Sequence, residues 1–157
     1  MSDGGASIIR YDYSLDGGRT WSDGTYVVVN GVVRVGTLTN GTTYHLVVRA
    51  RNVVGAGPLS NIVSVTPFAA PAAPSIRSVT ATKSTVTIRL ALPATNGAAL
   101  THLEYSLNGG ASWTTTSVST TLTINLALGR GVYVVVLRAD NAAGIGATSA
   151  PWRLVLT

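Results

Sequence analysis

The chain has 157 residues, of which 46% are hydrophobic and 11% charged, and its net charge is +5. A disordered chain is excluded, because disorder requires low hydrophobicity and high net charge. The basic residues are scattered rather than gathered in a stripe, which argues against nucleic-acid binding, and the lack of cysteine excludes disulfides and thiolate metal sites.

The first part of the chain predicts strands joined by tight turns. Residues 8–13 favour a strand, and Asp16-Gly17 behind them supplies the positive-φ chemistry of a hairpin turn. Asn40-Gly41 marks another turn, and with Thr42 it also fits a glycosylation sequon. From Tyr44 to Arg51 inward and outward side chains alternate with period two, which indicates a strand with one face toward a core.

A proline- and alanine-rich stretch follows and predicts a boundary between domains. Residues 66–74 contain three prolines among alanines. Proline cannot donate to a β-ladder and biases the residue before it toward extended backbone. We therefore expect residues 68–74 to form a short, semi-stiff linker.

The second half again predicts strands. Val86, Ile88, Leu90 and Leu92 alternate with polar or small residues and form the expected inward face of one strand. The turn signal Asn108-Gly109 lies between later strands. No segment shows helical periodicity with caps, and no apolar run approaches the ~18 residues of a membrane span.

Two blocks of sequence occur twice, in the same order. Residues 13–21 recur at 105–113, and residues 44–57 recur at 133–146. The two offsets differ by three residues, which a change in loop length explains. A period near ninety residues has the size of a domain and is too long for a solenoid repeat.

The second block, Tyr-x-x-x-x-x-Ala-x-Asn-x-x-Gly-x-Gly, resembles the fibronectin type III family. The resemblance implies an all-β fold: immunoglobulin-like β-sandwiches of fibronectin type III topology, two modules in tandem. Tyr44 and Tyr133 match the family's tyrosine corner, whose hydroxyl bonds back to the backbone. Leu90 stands where the family usually has tryptophan, and we expect it to fill that core position.

The resemblance also divides the chain. Residues 75–157 resemble a complete module, whereas residues 1–67 resemble strands C to G of a module that lacks strands A and B. One explanation is a cut within a longer protein. The other is that a second chain supplies the missing strands, by strand addition or in a homodimer.

The motifs that suggest chemistry have structural interpretations. Ser14-x-Asp16-x-Gly18-x-Thr20-Trp21 fits the Asp-box of sialidase-like propellers, but such a box is a hairpin device without chemistry of its own. We expect Trp21 and Trp113 to cover the two hairpins and Trp152 to close the end of a sandwich. Asp3, Asp16 and Asp23 lack the clustered spacing of a calcium loop and predict turns. We predict no catalytic, cofactor-binding or metal-ligating residues.

One face of the first module has a possible binding role. Arg10, Asp12, Arg49 and Arg51 are expected on the outer face of the sheet formed by strands C and F. Cross-strand ion pairing is the favoured interpretation. The alternative is a shallow face, formed by Arg10, Arg49 and Arg51, that binds anions or glycans.

Together these observations predict a non-catalytic spacer or adhesion segment. By resemblance, such modules belong to secreted or surface multidomain bacterial proteins, which implies an extracellular location with the secretion signal outside this sequence. The expected partners are other domains of the parent protein, and a glycan or protein ligand stays open. A third alternative is an accessory fragment of a glycoside hydrolase. We expect no cofactor and no membrane insertion.

Overall fold

The computed structural model describes residues 5–22, 27–29, 32–82, 85–124 and 128–157, which belong to two compact units, Met1–Pro67 and Phe68–Thr157. All regular elements among these residues are strands, and the ladders between them are antiparallel. The predicted all-β fold is therefore confirmed. Within the described ranges, no helix is long and apolar enough to span a membrane.

The first unit is built around one long strand. Its elements are β1 (Arg10–Ser14), β2 (Val27–Val29), β3 (Val32–Arg34), β4 (Tyr44–Arg51), β5 (Ala56–Leu59) and β6 (Val63–Val65). Strand β4 pairs with β1 on one side and with β5 and then β6 on the other, while β2 and β3 pair with each other. The bounds of β4 match the period-two segment of the sequence.

One face of this sheet is only partly covered. Among the described residues of the first unit, Val47 is the one buried hydrophobic side chain, at 1% exposure. The side chains of Tyr11, Tyr13 and Val48 lie on the opposite face from Val47 and are only half-buried, so theirs is the partly covered face. In the described residues 5–9 no strand precedes β1.

The second unit has two sheets. Its strands are β7 (Ser75–Ala81), β8 (Val86–Ala91), β9 (Leu100–Ser106), β10 (Thr114–Thr116), β11 (Thr121–Ile124), β12 (Gly131–Asn141), β13 (Gly144–Ile145) and β14 (Trp152–Leu156). One sheet has the order β11-β8-β7, and the other has β10-β9-β12-β13 with β14 also paired to β12. The resemblance equates β7, β8 and β11 with strands A, B and E, which form one sheet, and β9, β12 and β14 with strands C, F and G, which form the other. In the first unit β1 and β4 are the counterparts of C and F. The family resemblance also places strand E over residues 122–126, of which 125–126 lie outside the described residues.

The core of the second unit comes from inward residues of both sheets. Ile88 on β8, Leu103 on β9 and Leu137 on β12 are fully buried, and Leu90 is 3% exposed. The prediction that Leu92 continues the inward face is wrong: β8 ends at Ala91, and Leu92 is 37% exposed. The alternation stops because the chain leaves the ladder there.

Residues 68–74, predicted to be a linker, lie along the second unit. The amides of Ala69 and Ala72 donate to backbone carbonyls of residues 96 and 94 at 2.9 and 3.1 Å. The buried Asn141 donates through Nδ2 to the carbonyl of Ala69 at 2.8 Å. The carbonyl of Pro71 accepts from the amide of Ala147 at 3.3 Å. The segment is therefore held by hydrogen bonds in which it donates to residues 94 and 96 and accepts from Asn141 and Ala147.

Candidate functional site

The Asp-box of the first unit closes the turn after β1. The Asp16 carboxylate accepts from the amides of Arg19 and Thr20 at 3.0 and 2.9 Å, and from the Thr20 hydroxyl at 2.6 Å. Ser14, which is 2% exposed, donates its hydroxyl to Asp16 at 2.7 Å and accepts from the amide of Gly18 at 2.8 Å. The hydrogen bonds from Thr20, and that from Ser14, hold the pKa of Asp16 far below its ordinary value.

The second unit repeats this turn with an amide in place of the carboxylate. Ser106 donates to Asn108 Oδ1 at 2.7 Å and accepts from the amide of Gly110 at 2.8 Å. Asn108 accepts from the amide of Ser112 at 2.9 Å and donates through Nδ2 to its hydroxyl at 2.9 Å. The turn therefore forms without an ionised carboxylate, which supports a structural role for the box.

Both turns are fastened to the start of the long central strand of their unit. In the first unit the amide of Gly17 donates to the carbonyl of His45, and the amide of His45 donates to the carbonyl of Leu15, both at 2.9 Å. In the second, Gly109 and Val134 form the matching pair of contacts. The box thus joins strand C to strand F through backbone as well as side chains.

A tryptophan and an arginine complete the device in each unit. Trp21 donates through Nε1 to the carbonyl of Gly18 at 3.0 Å, and the Arg49 guanidinium lies 3.8 Å from the centre of its ring. In the second unit the Arg138 guanidinium lies 4.0 Å from the ring centre of Trp113. Each contact is a cation–π pair between strand F and the box, worth about 0.5–1 kcal/mol at an exposed site.

Three arginines surround one carboxylate on the outer face of the first sheet. Arg10, Arg49 and Arg51 each donate through Nε to Asp12, at 3.0, 3.1 and 3.2 Å. The Asp12 side chain is 3% exposed, whereas those of Arg10 and Arg51 are 42% and 34% exposed. Burial alone would raise the pKa of Asp12, but the hydrogen bonds from Arg51 and Arg49 and the charge of Arg10 outweigh it, so the pKa lies below the usual range of an aspartate.

The matching face of the second unit has a different charge. The register pairs Glu104 with Arg138 and His102 with Asp140, as it pairs Asp12 with Arg49 and Arg10 with Arg51 in the first unit. Arg138 donates through Nε to Glu104. Oδ1 of Asp140 is buried and has no hydrogen-bond partner among the described residues. Two arginines of the first face are thus replaced by a histidine and an aspartate.

The other residues singled out in the sequence lie at structural positions. The Tyr133 hydroxyl donates to the carbonyl of Gly129 at 3.0 Å. The Tyr44 hydroxyl instead accepts from the amide of Thr39 at 2.9 Å, which lowers the pKa of Tyr44. Trp152 is half-buried and packs against the core of the second unit, and Asn40 is exposed.

The sequence did not indicate that the first serine of each box is buried. The buried serines of the box, Ser14 and Ser106, fit a pattern whose signal is the aspartate rather than the serine. The described residues contain no group of three or more histidine, aspartate and glutamate side chains placed to bind a metal. Asp3 and Asp23, weighed as calcium ligands, lie outside the described residues.

No model of a known protein family matches the chain, and no curated protein matches it. Among solved structures, titin domains A168–A170 match 93% of this chain at 18% identity and a TM-score of 0.51. The chicken CNTN1 FN1–FN3 domains match 92% at 18% identity and a TM-score of 0.47. The chain covers 53% and 54% of these two structures, about half their length. The titin match agrees with the immunoglobulin-like β-sandwich fold.

Proposed function

We propose that the chain is a non-catalytic structural segment of a larger secreted or surface protein, whose two units act as spacers or present an adhesive surface. The observation that carries this proposal is how the polar side chains are used. Asp16 and Asn108 accept hydrogen bonds within their own turns, and Asp12 and Glu104 on strand C form ion pairs with arginines on strand F. These groups hold the fold together.

The same observation argues against the accessory fragment of a glycoside hydrolase acting catalytically. A general acid for glycosidic cleavage needs a carboxyl whose pKa is raised toward the working pH. The pKa values of Asp12 and Asp16 are both lowered, by arginines in one case and by turn donors in the other. Both carboxylates stay ionised at neutral pH and are poor proton donors.

The extracellular and bacterial setting rests on the fibronectin type III resemblance, and so does the expectation that other domains of the parent protein flank the chain. A spacer in such a protein must transmit force or keep distance without unfolding. The hydrophobic core of the second unit and the hydrogen-bonded segment 68–74 favour this role for Phe68–Thr157.

Stretching the chain by its two ends in a single-molecule force experiment tests the proposal. We expect two separate unfolding events. Phe68–Thr157 should give the longer gain, roughly 300 Å before subtraction of its folded length, at about 3.3–3.6 Å per residue. Leu137→Ala should lower the force of that event alone, because the side chain is fully buried in the second core.

One joint unfolding event, or events at forces too low to measure, would contradict the spacer role. A chain that is dimeric in solution would instead favour self-association through the half-buried face of the first sheet, which includes Tyr11, Tyr13 and Val48.

A further inference from the structure

The two units provide an internal comparison that separates what the fold needs from what is specific to one unit. Both have an acidic residue on strand C facing an arginine on strand F, and both stack that arginine on the tryptophan of the box. These contacts recur, so they belong to the shared structural device. Arg10 and Arg51 do not recur, because His102 and Asp140 occupy their positions.

The two extra arginines are poorly explained by stability. They face each other directly across β1 and β4, and like charges at such positions destabilise a sheet. Asp12 carries one negative charge and is shared by three arginines, so two positive charges are left in surplus. In the second unit a histidine and an aspartate at these positions are compatible with the same strand pairing.

Asp12 also organises the two guanidinium groups. Its contacts to Arg10 and Arg51 use the Nε atom of each, which leaves the paired Nη groups outside these two contacts. A guanidinium fixed in this way can receive a carboxylate or sulfate through parallel N–H donors, and little further side-chain entropy is lost. Arg10 and Arg51 are also the more exposed of the three arginines.

The surroundings of this pair add an apolar surface. Leu59 pairs with Arg49 across β4 and β5 and is 55% exposed. Its Cδ1 and the Trp21 ring lie around Gly18: each is 3.7 Å from the position that a Cβ on Gly18 would occupy. The corresponding position in the repeat is Thr148. The first face therefore combines exposed cations with an exposed apolar side chain next to an aromatic ring. A sugar ring bearing an acidic group offers an apolar C–H face and a planar anion, which match both features.

We propose that the outer face of the first sheet binds an acidic glycan, whose carboxylate or sulfate groups are held between Arg10 and Arg51 and whose ring lies toward Leu59. The site is shallow and carries two surplus charges, so binding is weak for one sugar and grows with the number of acidic residues in the polymer. It is also sensitive to ionic strength, because the arginines are partly exposed. This goes beyond the proposed spacer role, which does not depend on it.

Isothermal titration calorimetry of the full chain tests whether this face binds acidic glycans. The three probes are an oligogalacturonate, a heparin-derived oligosaccharide and a neutral maltooligosaccharide. We expect binding of the carboxylated or the sulfated probe, or both, with one site per chain and none for the neutral probe. The Arg10→His, Arg51→Asp double variant converts the face to the pattern of the second unit. We expect it to weaken binding by at least about tenfold, since charged hydrogen bonds are lost.

A matched control is Arg89→His with Arg153→Asp. It makes the same charge change at two exposed arginines of the second unit and should leave affinity nearly unchanged. Equal losses in both double variants would show that net charge alone attracts the glycan and would overturn the site. Absence of binding to both acidic probes would overturn it as well, and equal binding of poly-glutamate would overturn the glycan assignment.

A second variant keeps the test valid if the first destabilises its unit. His102→Arg, Asp140→Arg and Thr148→Leu together should create a second site on the other unit and raise the stoichiometry to about two. A stoichiometry that stays at one, with β9 and β12 still protected from hydrogen exchange, would count against the proposal.

Discussion

Gly146 fixes how closely residues 68–74 can approach the rest of the second unit, and replacing it with alanine tests that contact. A Cβ at this position would lie 2.4 Å from the carbonyl oxygen of Pro71 and 3.0 Å from that of Ala139. Real Cβ atoms essentially never come so close to another atom. Both obstacles are backbone atoms, so no side chain can rotate away, and the segment must move outward.

The expected cost follows from two effects. Overpacking a tight site costs about 1–3 kcal/mol, and the hydrogen bond from Ala147 to Pro71 contributes about 1 kcal/mol more. We therefore expect Gly146→Ala to lower the unfolding free energy of the second unit by about 2–4 kcal/mol. Gly57 is its counterpart in the repeat, where the nearest contact of a new Cβ is 3.4 Å, so Gly57→Ala should change stability by about 0.5 kcal/mol or less.

Hydrogen exchange followed by mass spectrometry across a urea series measures each unit separately within one chain. In Gly146→Ala, the amides of Ala69 and Ala72 should exchange faster than in the wild type. If these amides stay protected and the unfolding midpoint of the second unit does not move, Gly146 does not control the packing of residues 68–74. Equal effects of the two alanine variants would lead to the same conclusion.

Three further predictions concern other polar contacts. The pKa values of Asp12 and Asp16 are lowered in the folded state, so both carboxylates stabilise the first unit above about pH 4 and lose that effect as pH falls through their folded-state pKa values. The urea midpoint of the first unit should therefore drop between pH 7 and pH 2. The drop should be smaller in Asp16→Asn, which has one of these carboxylates fewer. Ser106→Ala should cost about 1–3 kcal/mol, because two backbone amides and an amide oxygen lose a buried partner; a loss under about 0.5 kcal/mol in thermal unfolding would contradict this. Asn141→Ala should release residues 68–74, seen as proteolytic cleavage in that segment under conditions where the wild type stays intact.

The sequence predicted the strands with strong alternation and missed those without it. Tyr44–Arg51 was predicted with the bounds of β4 from its period-two pattern, and the family resemblance placed a strand at Trp152–Leu156, which are the bounds of β14. Strand β10 was missed, since Thr114–Thr116 is three identical residues with no difference between faces. Its position follows only from pairing with β9.

The candidate site was only partly predictable for a similar reason. The sequence placed Asp12 on one face with the three arginines and favoured ion pairing between the strands. It did not show that all three arginines meet Asp12, because the register between β1 and β4 decides which charges meet. The proline- and alanine-rich composition of residues 68–74 fits a free linker and a segment packed along a sandwich equally well. Donors from distant residues such as Asn141 distinguish the two, and no local pattern reveals them.

Light scattering coupled to size exclusion distinguishes a structural segment that acts as a single copy from one that assembles through its first sheet. For the proposed spacer we expect one species of 16.1 kDa at all concentrations measured. A stable species of about twice that mass, lost when Val48 on the half-buried face is changed to arginine, would contradict it and make assembly the function of the first unit.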